Sequence, residues 1–112
     1  MVAKIDSETE LTEEEFNKII NNGHELVVVD FFAEWCMPCL MLSPIIDELA
    51  EEDSMKEVKF TKINVDGNKD LAKKYNISSI PCLIIFKDGE EVDRIIGSQS
   101  GEDIEEKIKS YL

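Results

Sequence analysis

With 112 residues and 43% hydrophobic content, the chain is long enough to bury one core and too short for two, so residues 1–112 are expected to form a single domain. Its 25 acidic and 12 basic residues leave a formal charge of −13, which repels phosphate backbones and anionic head groups and argues against nucleic acid as a partner. No apolar run approaches the roughly 20 residues of a membrane-spanning helix, because Asp30 and Glu34 interrupt the best stretch, and no membrane role is expected.

The opening MVAKIDSETE has neither the apolar core of a secretory peptide nor an Arg-rich amphipathic pattern, which makes the cytoplasm the expected compartment. In LTEEEFNKIINNG, Thr12 is placed to cap a helix, Glu15 to complete a capping box and Leu11 to staple onto Phe16. Phe16, Ile19 and Ile20 share one face of that helix, and Asn22-Gly23 supplies a stop. ELVVVDFFA, with apolar and β-branched residues at consecutive positions, reads as a central strand covered on both faces.

LMLSPIIDELAEED then puts Leu42, Ile45, Ile46 and Leu49 at helical spacing, with Pro44 inside the run as a kink rather than a break. VKFTKINVDG reads as a second strand, NKDLAKKYN as a short helix and PCLIIFKDG as a third strand. EEVDRIIGS follows a turn at Asp88-Gly89 and is expected to pair antiparallel to the third strand. The chain closes on SGEDIEEKIKSYL, where Ser100 caps a helix with Ile104, Ile108 and Leu112 along one face. The order αβαβαββα implies a three-layer α/β domain, a central mixed β-sheet flanked by helices.

Cys36 and Cys39, in FFAEWCMPCLMLS, lie at the junction of the central strand and the second helix. Three cysteines fit poorly with a secreted disulfide scaffold, whereas a close pair in a cytosolic chain points to redox or metal chemistry. In a helix beginning near Cys36 the two sulfurs sit one turn apart on one face, and Cys36 lies where unpaired N–H groups and the positive dipole end converge. That placement favours the thiolate and hence a nucleophile. Pro38 suits a first helical turn, needing no N–H partner, and stiffens the approach of the second sulfur to the first.

A metal reading uses the same pair with Cys82 and His24 as a Cys₃His set; it lacks the second close pair usual in structural zinc sites, and redox is the favoured reading. Asp30, a carboxylate in an aliphatic strand, is either a proton acceptor with a raised pKa or an acid that is partly solvated or salt-bridged, for instance to Lys62. The residues alone leave both open.

Four segments in order resemble the thioredoxin family over nearly the whole chain from about Leu11 to Leu112: VVVDFFAEWCMPC, KINVD, YNISSIPCLIIFKDGE and the late Gly97. The resemblance implies the thioredoxin fold, with Cys36 as attacking thiolate, Cys39 as resolving thiol, Asp30 as the buried acid that moves a proton to and from Cys39, and Lys62 as its neighbour. It also implies a cis peptide before Pro81, in a loop lying against the pair. Trp35, Met37, Pro38, Ile80 and Gly97 then line a mostly apolar substrate groove. For Trp35 and Gly97 the plainer readings are an aromatic covering the helix start and a turn glycine.

Met37 stands where the family has glycine, Leu40 where it usually has lysine, Phe32 where it usually has tryptophan and Cys82 where it usually has threonine. Cys82 is either a third thiol near the pair or, the favoured reading, a small buried apolar residue. The implied activity is protein-disulfide reduction through a reversible Cys36–Cys39 disulfide. Its partners are disulfide-bearing proteins and a separate reductase as electron donor, since no dinucleotide fingerprint or other cofactor site is present in the sequence. The chain is expected to act as a monomer. The alternatives are an oxidase or isomerase of the same family, against which Pro38 argues, and a cysteine-based metal module.

Overall fold

The computed structural model describes residues 11–21 and 26–112, so the proposed stop at Asn22-Gly23 and the position of His24 lie outside the described residues. Helix α1 spans Glu13–Ile20 and begins with the expected capping box: Glu15 N–H donates to Thr12 Oγ1 at 3.1 Å, and Thr12 N–H to Glu15 Oε1 at 2.8 Å. Strand β1 (Leu26–Phe32) is buried at all seven positions, as its unbroken apolar run requires. Helix α2 runs from Met37 to Ala50 and continues through Pro44.

A short 3₁₀ turn (Asp53–Met55) leads into β2 (Val58–Asn64), followed by α3 (Lys69–Lys74), β3 (Cys82–Lys87), β4 (Glu90–Ile96) and α4 (Gly101–Lys109). The β3–β4 turn uses positive φ at Asp88 (54°) and Gly89 (84°), the geometry that matches hairpin twist. A Cβ at Gly89 would run into the Asn21 side chain, so that position needs glycine for space as well as for φ. Ser100 caps α4 through Asp103 N–H at 3.1 Å. Leu112, assigned by spacing to the apolar face of α4, instead lies beyond the helix end and is 46% exposed, while Ile104 and Ile108 are buried as expected.

The four strands lie in the order β2-β1-β3-β4. β1 is parallel to β2 and antiparallel to β3, and β3 is antiparallel to β4, which makes the sheet mixed. Alternation along the central strands sorts side chains into two layers. Leu26, Val28, Leu83 and Ile85 pack with α2 and α4, and Val27, Val29, Phe31, Ile84 and Phe86 with α1 and α3. The result is the three-layer thioredoxin fold, with helices on both faces of one sheet. Among the described residues no helix is long and apolar enough to cross a membrane.

Candidate active site at the start of α2

Cys36 is the N-cap of α2, one residue outside the helix, and Cys39 closes the first turn. Of the amides that a helix start leaves unpaired, Pro38 has none to offer and Leu40 N–H already donates to the Cys36 carbonyl at 3.1 Å. Cys39 N–H is therefore free to donate to Cys36 Sγ, at 3.3 Å. The two cysteines are joined as a disulfide, their Cα atoms 5.2 Å apart. Reduction of that bond leaves Cys36 sulfur facing a backbone donor and the positive end of α2, both of which stabilise negative charge on it.

The pair is buried in a small cluster with Phe32 and Ala33, against which Ile80 and Val65 pack. Ile80 and Pro81 are joined by a cis peptide bond, and the Ile80 carbonyl oxygen lies 3.9 Å from Cys36 Sγ. Gly97 N–H donates to the Pro81 carbonyl at 2.9 Å, which ties the start of the segment after β4 to the same loop. Gly97 has φ 84° and a Cβ there would meet nothing, so its backbone conformation rather than space favours glycine.

Trp35 (71% exposed), Met37 and Leu40 present apolar surface around the pair. Trp35 is anchored at one edge, Nε1 donating to Asp66 Oδ2 at 2.7 Å, and Asp66 N–H in turn donates to Asn64 Oδ1 at 2.9 Å. Sequence reasoning gave Asp66 no role, although it is the last residue of the KINVD segment.

Asp30 sits on β1 opposite Lys62 of β2, both on the α2 side of the sheet. Asp30 is 1% exposed and its Oδ1 has no hydrogen-bond partner among the described residues. Burial pushes its pKa from 3.8 to about 7, partly opposed by the Lys62 ammonium and reinforced by the Asp47 carboxyl. The carboxyl is thus poised to exchange a proton near neutrality. The salt bridge to Lys62 that the sequence left open is not formed. Lys62 Nζ instead donates to Ser43 Oγ of α2 at 3.3 Å, and lies 4.5 Å from the centroid of Phe32. An open pocket of about 380 Å³, lined among others by Cys39, Leu40, Ser43, Asp47 and Lys62, connects this region to the surface.

Cys82 lies on the other face of the sheet, buried among the residues that pack with α1 and α3. Burial raises its thiol pKa, with Arg94 opposing the rise. It is therefore a buried apolar residue rather than a third member of the site, and the Cys₃His set loses the convergence it needs. Among the described residues no group of three or more His, Cys, Asp or Glu side chains could hold a metal ion.

The thioredoxin family profile matches residues 7–110. A thioredoxin from Chlamydia pneumoniae is 46% identical, covering 90% of this chain and 95% of its own length, and one from Pyropia yezoensis is 42% identical over 95% and 98%. Among solved structures, Fasciola hepatica thioredoxin superposes with a TM-score of 0.83 at 36% identity, covering 97% of this chain and 99% of its own. An N21Q mutant thioredoxin from Halobacterium salinarum gives 0.84 at 32%, covering 97% and 91%. Likeness of this extent, over a sheet order and a cysteine pair already described, makes the chain a thiol–disulfide oxidoreductase belonging to the thioredoxin family.

Proposed function

We propose that the chain, working as one domain over residues 1–112, is a general protein-disulfide reductase in which Cys36 attacks and Cys39 resolves. Cys36 thiolate displaces one sulfur of a target disulfide, forming a mixed disulfide and releasing the first target thiolate. Asp30 carboxylate takes the proton of Cys39. The new Cys39 thiolate attacks Cys36 Sγ, the mixed disulfide breaks, and the second target thiolate leaves. Two electrons have then passed from the dithiol to the target, and the pair is oxidised to the Cys36–Cys39 disulfide. Lys62 modulates Asp30 by placing a positive charge within its field.

The loop at Ile80 and Pro81, with Gly97 behind it, offers backbone groups to an extended target segment, while Trp35, Met37 and Pro38 supply apolar contact with little side-chain selection. Disulfide-bearing proteins are the substrates. A separate reductase returns the pair to the dithiol state, in the cytoplasm, where thiols are kept reduced. The protein acts as a monomer.

The reading is carried by one observation: the Cys39 amide directed at Cys36 Sγ at the start of α2, which favours Cys36 as the ionised sulfur. Reduction of insulin disulfides, with dithiothreitol as electron source, tests it. Turnover by the wild type and background rates for Cys36→Ser are expected; equal turnover by both refutes the assignment.

A further inference from the structure

Lys62 is almost out of water, at 4% exposure, yet its ammonium has a single hydrogen-bond acceptor among the described residues, the Ser43 hydroxyl. Two carboxyls lie near it and neither holds it. Asp30 is its neighbour on β1 in the strand register, and Asp47 follows Ser43 by one turn of α2, lining the same pocket. Each has an Oδ1 that is buried and without a partner. A neutral hydroxyl thus holds a buried cation that has two carboxyls in its surroundings.

We propose that Ser43 is a positioning residue for the redox reaction: its hydroxyl holds the Lys62 ammonium on the Asp30 side of the pocket, and without it the ammonium moves on to Asp47. A buried ammonium deprived of its acceptor must find another, since leaving it unpaired is costly. The Lys62 stem starts opposite Asp30 in the strand register, and its Nζ reaches Ser43 of α2. Asp47 stands one turn of α2 from that acceptor and lines the same pocket as Ser43 and Lys62, a lining that does not include Asp30, so it offers the displaced ammonium a carboxylate on the helix it already touches.

The other groups facing Asp30 stay in place in this change. Asp47 of α2 acts on it through its charge, Cys39 and Glu34 line the pocket with Asp47 and Lys62, and Cys82 of β3 is on the opposite face of the sheet. Lys62 is therefore the moving charge, and its retreat withdraws the cation that, among the described residues, favours ionised Asp30. The consequence for turnover rests on the proton role proposed above for Asp30; the placement of Lys62 does not.

Titration of the Asp30 carboxyl by carbon-detected NMR in the oxidised protein tests the placement directly. In Ser43→Ala the midpoint is expected to rise by roughly half a pH unit, about threefold in the proton equilibrium. Ser43→Thr, which keeps a hydroxyl, restores the wild-type value. In a Lys62→Met background Ser43→Ala moves the midpoint no further. A midpoint unchanged or lowered in Ser43→Ala, or a rise of the same size with Lys62→Met present, overturns the proposal, and a merely structural role for Ser43 would give the last of these. Turnover of Asp30→Asn is the separate check on the proton role: if it matches wild type that role fails, while the NMR titration still decides the assignment of Ser43.

Discussion

The two faces of β1 are equally dry and do opposite work. Val27, Val29 and Phe31 look toward α1 and α3, where Phe16 stacks edge-on against Phe86 at 5.5 Å and against Tyr75 at 5.6 Å, and Tyr75 meets Phe31 at 6.3 Å. Val28 and Asp30 look toward α2, where the neighbours include a lysine ammonium, two unpartnered carboxyl oxygens and the sulfur pair. The aromatic face gains from every contact it makes. The α2 face carries buried polar groups that oppose folding, and they gather beside Cys39. Burial alone does not tell a core residue from a reactive one; the partners on its face do.

The sharpest way to break this division is to damage each face and read both stability and turnover. Phe16→Ala removes the centre of the aromatic cluster and should cost about 3–5 kcal/mol in denaturant unfolding. Turnover per folded molecule should be unchanged, because Phe16 packs in the cluster on the face of the sheet opposite Asp30 and the cysteine pair. A loss of turnover among fully folded molecules would mean that the faces are coupled.

Asp30→Asn should act in the opposite sense. Between pH 3.8 and about 7 native Asp30 holds a proton that the unfolded chain has released, so stability falls as pH rises through that window. The full penalty is present above about pH 7, where a shift of about three units at about 1.4 kcal/mol each amounts to about 4 kcal/mol. The amide, itself left short of partners, should recover about 2–4 kcal/mol of this at pH 8 and little below pH 4. Turnover should fall. Chemical unfolding at both pH values checks the sign, and destabilisation at pH 8 would show that Asp30 is held by a partner and not merely buried.

Smaller effects test the frame that holds the aromatic face. Thr12→Ala removes one half of the capping box and should cost about 1 kcal/mol, with turnover intact. This cap was legible in the sequence because it depends on residues three apart. The strands, the hairpin turn and the N-cap of α4 were legible for the same reason: local patterns fixed them. So was the cysteine pair, whose spacing carries its geometry.

The surroundings of the pair were not legible. Ser43 and Lys62 are joined only once β2 lies parallel to β1 and α2 crosses that face, and Trp35 finds Asp66 through the same long-range pairing. Spacing also extended the apolar face of α4 to Leu112, because periodicity does not register where a helix stops. The Asp30–Lys62 salt bridge failed on reach: adjacent Cα atoms do not by themselves bring together a short carboxylate side chain and one with three more methylenes, whose tip finds Ser43 instead.

The least effect belongs to Cys82, the one sulfur on the aromatic face among the described residues. Strand parity puts it beside Phe31 in the β1–β3 register but with its side chain on the α1 and α3 side, away from Cys36 and Cys39. Burial raises its pKa, and a protonated thiol reacts slowly with alkylating agents. In the reduced protein at pH 7, iodoacetamide should therefore modify Cys36 first and reach Cys82 only after denaturation, as read by mass spectrometry of the digested protein. Cys82→Ala should leave insulin reduction unchanged. A thiol at Cys82 that alkylates as fast as Cys36, or a fall in turnover in that variant, would mean that the sheet does not insulate one face from the other.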